Sequence, residues 1–140
     1  GVQRLALFDL ALASFALGNS DQHGKNVSFL HDGQGSVQLA PAYDIVSTQA
    51  WGDEYGHTLA MPFGEELEPD RVTPRHVERL AGELGLAVSG ASGRASALLK
   101  RLSDAPTDAV AGIRAEGWDD PIVDSVLRVF ARRSRQLIDH

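Results

Sequence analysis

The chain has no cysteine among its 140 residues. A disulfide framework and a thiolate-bound metal are both excluded, which fits a cytoplasmic protein. Lysine is nearly as scarce, with Lys25 and Lys100 alone. No apolar run approaches the roughly 18–20 residues of a membrane span. The apolar N-terminal stretch is interrupted by Asp9, and no small-residue cleavage site follows it, so it does not read as a signal peptide. Positive charge is in deficit: 13 Lys and Arg face 19 Asp and Glu, for a net charge of −6. That balance argues against broad nucleic-acid binding, which needs a basic surface. The Arg128, Arg132, Arg133 and Arg135 cluster in the tail reads as the solvated face of a terminal helix. Neither a membrane nor direct contact with nucleic acid is expected.

What is present suits one soluble domain with a real core: 43% hydrophobic and 23% charged residues. Residues 3–17 read as a helix, with Leu5, Phe8, Leu12 and Phe15 at three- and four-residue steps. Leu7, Leu10, Ala11, Ala13 and Leu17 make it apolar nearly all round, as in a helix buried in a larger body. Gly18-Asn19 ends it. Strands are expected over 26–31 and 36–40, joined by the turn Asp32-Gly33-Gln34-Gly35. Residues 45–56 look irregular, a short strand is expected over 57–61, and residues 62–72 look like a solvated acidic loop. Thr73-Pro74 starts a helix that Gly85 stops, with His76 on its surface. Further helices are expected near 93–103 and 106–116, broken at Pro106. The last runs from Asp119-Asp120-Pro121 to about Ile138, burying Val123, Val126, Leu127, Phe130 and Leu137. The fold class is mostly α with a small β hairpin.

The chemistry is concentrated in Gly18-Asn19-Ser20-Asp21-Gln22-His23-Gly24-Lys25-Asn26. A carboxylate, an imidazole, an ammonium and a carboxamide fall within six residues, a density no plain surface loop needs. Gly18 to Lys25 is not a P-loop: the glycine spacing is one residue too long, Asn26 replaces the magnesium-binding Ser or Thr, and a helix precedes it. His23, His31 and His57 match no common zinc spacing. Asp21-x-x-x-x-Asn26, followed by Asp44 beyond the hairpin, has the spacing of a kinase catalytic Asp, its magnesium-binding Asn and a second metal-holding Asp. The first Asp must reach an attacking hydroxyl, and the other two must hold a cation that bridges phosphates. Hard magnesium takes such oxygen ligands. By spacing alone, a buried structural turn at Asp21 and Asn26 remains the competing account.

Phe15 to Leu30, then Leu39-Ala40-Pro41-Ala42-Tyr43-Asp44-Ile45-Val46-Ser47, resembles the catalytic core of HipA-type toxin kinases. Residues 71–86 resemble the helix after that core, and Asp21-x-His23-x-x-Asn26 also resembles lipid-kinase catalytic loops. The resemblance implies the C-terminal lobe of a HipA-type kinase-like fold and a serine/threonine kinase. Asp21 would be the catalytic base, Asn26 and Asp44 the Mg2+ ligands, and His23 and Lys25 phosphate contacts, with ATP as co-substrate. It also implies a bacterial toxin–antitoxin system, a small HipB-like antitoxin as partner, and aminoacyl-tRNA synthetases as protein substrates. The pattern departs from protein kinases in having Asn-Ser before Asp21 and Ile-Val after Asp44.

A kinase also needs a Gly-rich phosphate cover and a strand-borne lysine, and neither Lys25 nor Lys100 suits that place. The expectation is therefore a single domain over 1–140, with the N-terminal lobe absent and nucleotide binding weak or nil for this chain alone. Two readings from other classes stay open: a non-catalytic domain that binds an antitoxin or other protein, and a metal-dependent phosphohydrolase.

Overall fold

The computed structural model describes residues 1–52, 58–118 and 120–138. Helix α1 (Val2–Ala16) is the axis. Its Phe8, Leu12, Phe15 and Ala16 are buried, and beyond Arg4 none of its residues is exposed. It packs against the hairpin strand β2 (Val37–Leu39) and helices α2 (Pro74–Glu83), α3 (Ala91–Asp104) and α5 (Pro121–Ile138), while α4 (Pro106–Ala115) packs on α3. Leu17 caps α1, and Gly18, at φ 74°, takes the left-handed conformation that turns the chain out of the helix. A Cβ at Gly18 would sit 2.3 Å from Val129 Cγ1, so the site needs glycine for space as well as for conformation.

The hairpin is shorter than expected. Its strands are β1 (Phe29–His31) and β2 (Val37–Leu39), paired antiparallel with Leu30 opposite Gln38. Residues 26–28 do not join β1: the 3-10 turn Gly24–Asn26 claims the Asn26 and Val27 N–H groups, and only the Ser28 carbonyl, accepting the Ala40 N–H at 2.9 Å, reaches across the hairpin. Asp32 ties the hairpin end by accepting the Gln34 and Ser36 N–H groups at 2.8 and 3.0 Å.

Five other expectations need correction. His57 lies outside the described residues, and Thr58–Met61 form no strand. The Leu59 N–H goes to Leu67 O and the Ala60 N–H to Ser20 O, so successive groups serve different segments and no ladder forms. His76 is half-buried rather than a plain surface residue: its Nδ1 accepts the Thr73 N–H at 2.9 Å and so caps α2. On α5 the buried residues are Val129, Phe130, Arg133 and Leu137, whereas Val123, Val126 and Leu127 are half-buried beside α4. Arg133 is 3% exposed, so the tail cluster is not a uniformly solvated face. The acidic loop is not merely solvated either, since Asp70 pairs with Arg133 and Glu65 with Arg79.

Candidate active site

The polar loop begins where α1 ends, and its first residues are buried. Asn19 and Ser20 are 2% and 5% exposed, so their polar groups need partners. Asn19 Oδ1 accepts the Asp21 N–H at 3.1 Å, while Asn19 Nδ2 donates to Gln22 Oε1 and to the Asp44 carbonyl. Gln22 Oε1 also takes the Ser14 hydroxyl at 2.9 Å, fastening the loop to the last turn of α1.

A second brace comes from the 3-10 turn Thr48–Trp51, just past Asp44. Thr48 Oγ1 accepts the Ser20 N–H at 2.9 Å and donates to Gly18 O at 3.2 Å. Gln49 donates its backbone N–H to Gly18 O and its Nε2 to Ser20 Oγ, at 3.1 and 3.0 Å. Asp21 follows this doubly tied segment and is exposed. A carboxylate that meets an incoming hydroxyl needs this combination of fixed backbone and open side chain.

The hairpin brings Asn26 and Asp44 together across 18 residues of sequence. Asn26, 5% exposed, receives the His23 N–H on Oδ1 at 3.1 Å and donates Nδ2 to Asp44 Oδ2 at 2.5 Å. The orientation of the carboxamide follows from chemistry: an N–H can only donate, so the oxygen faces His23 and the NH2 faces the carboxylate. Asp44 has φ 55°, a left-handed conformation that Asp tolerates better than most residues. Tyr43, just before it, donates its hydroxyl to Lys25 O at 2.8 Å and receives the Ser28 hydroxyl at 2.7 Å, pinning the Asp44 segment to the loop.

Among the described residues no three acidic or histidine side chains cluster. Among the described residues of this loop and hairpin, Asp44 and Asn26 are the adjoining side chains whose oxygens could hold a cation. That set suits a hard ion that completes its shell from phosphate and water, and it does not suit zinc. His23 is half-buried, with Nδ1 buried and unpaired among the described residues; Lys25 is exposed.

The structure thus joins Asn26 to Asp44 directly and His23 to Asn26 through its backbone, with Asp21 and Lys25 on the same loop. Sequence reasoning missed the braces: Asn19, Gln22, Tyr43, Thr48, Gln49 and Arg133. The polar run Ser47-Thr48-Gln49 right after Asp44 was the available signal.

Residues 2–109 match the family model described as the HipA-like C-terminal domain. The chain is 33% identical over 121 residues to the putative kinase Y4mE of Sinorhizobium fredii, a match covering 86% of this chain and 27% of that protein. It is 34% identical over 76 residues to the serine/threonine-protein kinase toxin HipA of Shewanella oneidensis, covering 54% of this chain and 17% of the relative. The chain thus spans 27% or less of the length of these two relatives. A solved structure from Shewanella oneidensis, of toxin–antitoxin proteins HipA and HipB with their operator DNA, contains a chain of the same fold. The TM-score is 0.76 at 23% identity, over 94% of this chain and 31% of that one. Because the family match takes in α1, the polar loop, the hairpin, α2 and α3, this chain belongs to the HipA-like C-terminal domain family.

Proposed function

We propose that these residues form the catalytic-loop lobe of a serine/threonine kinase that moves the ATP γ-phosphate to a protein hydroxyl. The observation that carries this reading is the 2.5 Å contact between Asn26 and Asp44, with Asp21 exposed on the loop that Asn26 ends. Asp21 accepts the proton of the substrate hydroxyl as its oxygen attacks the γ-phosphorus, the bond from that phosphorus to the bridging β-phosphate oxygen breaks, and ADP leaves. Asp44 and Asn26 would hold Mg2+, the Asn26 carboxamide turning its oxygen from His23 to the ion, and the ion would supply positive charge to the phosphate oxygens. His23 and Lys25 contact phosphate from the same loop.

Neither lysine lies on a strand, since Lys25 is in a 3-10 turn and Lys100 in α3. The remaining phosphate grip therefore comes from a separate N-terminal lobe. The hairpin and the segment after it expose Phe29, Leu30, Val37, Val46 and Trp51, an apolar surface for such a lobe to cover. The kinase names of the relatives support the class of activity. The toxin HipA and the complex with HipB support a toxin role with a HipB-like antitoxin as partner; an aminoacyl-tRNA synthetase is the proposed substrate.

The test follows label from γ-phosphate-labelled ATP into protein, using the full gene product. Transfer that depends on magnesium and is lost in Asp21→Asn is the expected result. Label released only as free phosphate, or transfer unchanged in Asp21→Asn, overturns the reading. The exposed apolar hairpin also favours a second reading, a non-catalytic docking domain. That reading predicts no transfer, with partner binding lost on Leu30→Ser.

A further inference from the structure

Among the described residues, Arg133 is the only buried charged side chain. Burying a guanidinium is costly, and an apolar residue of similar size fills such a space at less expense. Burial indeed pulls its pKa below the ordinary arginine value, with the Asp70 hydrogen bond opposing. Asp70 stays 77% exposed while Arg133 is 3% exposed, so the pair does not fully repay the desolvation.

The geometry shows where the guanidinium is directed. Nε donates to Gln49 Oε1 at 2.7 Å, and Nη1 donates to Asp70 and to Gln136 Oε1 at 2.6 and 2.8 Å. The Gln136 Nε2 then holds the carbonyls of Pro69 and Val72, each at 2.6 Å. The guanidinium carbon lies 5.7 Å from the centre of the Phe15 ring, at the end of α1. Gln49 uses its other end on Ser20. A continuous line therefore runs from Arg133 through Gln49 to Ser20, the residue before Asp21.

We propose that Arg133 is a positioning residue for the catalytic loop, acting through Gln49 to fix Ser20 and so the backbone that presents Asp21. Its bearing on catalysis rests on Asp21 being the base; the mechanical coupling does not. Helix α5 lies beyond the residues matched to the family, so this support comes from outside the region that carries the motif.

The test is amide hydrogen exchange on Gln49→Met, which removes both polar ends of the relay and leaves Arg133 with Asp70 and Gln136. Exchange at Ser20 and Asp21 is expected to quicken roughly tenfold or more, while α3 amides stay within about threefold. Gln49→Glu, which keeps an acceptor for Arg133 and offers a second oxygen to which the Ser20 hydroxyl can donate, restores protection. Arg133→Met shows the same local signature; if it does not fold, Arg133→Lys, which keeps the charge and loses the Nε donor to Gln49, takes its place, and an unchanged Ser20 in that variant overturns the role of Arg133. Equal acceleration in α3 and the loop would make the network ordinary core packing, and an unchanged Ser20 would overturn the coupling.

In the full gene product, Gln49→Met lowers kcat roughly tenfold with the KM for ATP unchanged. Wild-type protein that transfers no phosphate defeats the kinase reading, while the exchange data still judge the relay.

Discussion

The floor of the loop and the hairpin beside it are built in opposite ways. Gly18, Asn19 and Ser20 are buried, and Thr48, Gln49 and Gln22 cross-brace them. Residues 28–38 are all exposed, and the hairpin stands mainly on its own ladder, on Tyr43 and on the Leu39 N–H given to Gln3 Oε1. The contrast separates two tasks. The floor fixes where Asp21 stands, and the hairpin sets the spacing that lets Asn26 and Asp44 meet.

Asp44→Asn tests the contrast most severely, because it keeps an acceptor for Asn26 Nδ2 and a residue tolerant of positive φ. Phosphate transfer by the full gene product is expected to fall by on the order of 10³-fold, with the unfolding midpoint nearly unchanged. On the floor side, Leu12→Ala empties a fully buried position of α1 and should cost about 2–5 kcal/mol by urea denaturation. Asn19→Ala leaves the Asp21 N–H without its acceptor and should cost about 1–3 kcal/mol. On the hairpin, Leu30→Ser at a 49% exposed position should stay within about 0.5 kcal/mol. If the last two changes cost the same, the contrast between floor and hairpin is false.

The smallest effect concerns pH. Backbone N–H groups of Gln34 and Ser36 hold the Asp32 carboxyl below its ordinary value of 3.8. A depressed folded-state pKa stabilises above the unfolded value, and the contribution is lost as pH falls through the folded one. The Gln34 and Ser36 amide signals should therefore shift in acid below that ordinary value, and Asp32→Asn should abolish the shift.

Much of this was legible in the sequence because local rules governed it. Apolar periodicity located α1, Thr73-Pro74 the start of α2, Pro106 the break between α3 and α4, and the family resemblance held. Arg133 was not legible: charge pattern places it with Arg132 and Arg135, and only the packing of α5 on α1 and on the 48–51 turn buries it. The expected strand over 57–61 failed for a similar reason, since partners distant in sequence claim the N–H groups of Leu59 and Ala60. That Asn26 and Asp44 belong together was anticipated from their kinase-like spacing, whereas Tyr43 and Gln49 needed coordinates to find.

The most direct test of the central claim is a titration of Mn2+ with ATP into the full gene product, read by paramagnetic broadening of the backbone amides of these residues. The account predicts that Asn26 and Asp44 broaden before the acidic stretch 65–70, and that Asp44→Asn removes the effect. Broadening that begins in the acidic stretch, or that survives Asp44→Asn, would contradict it.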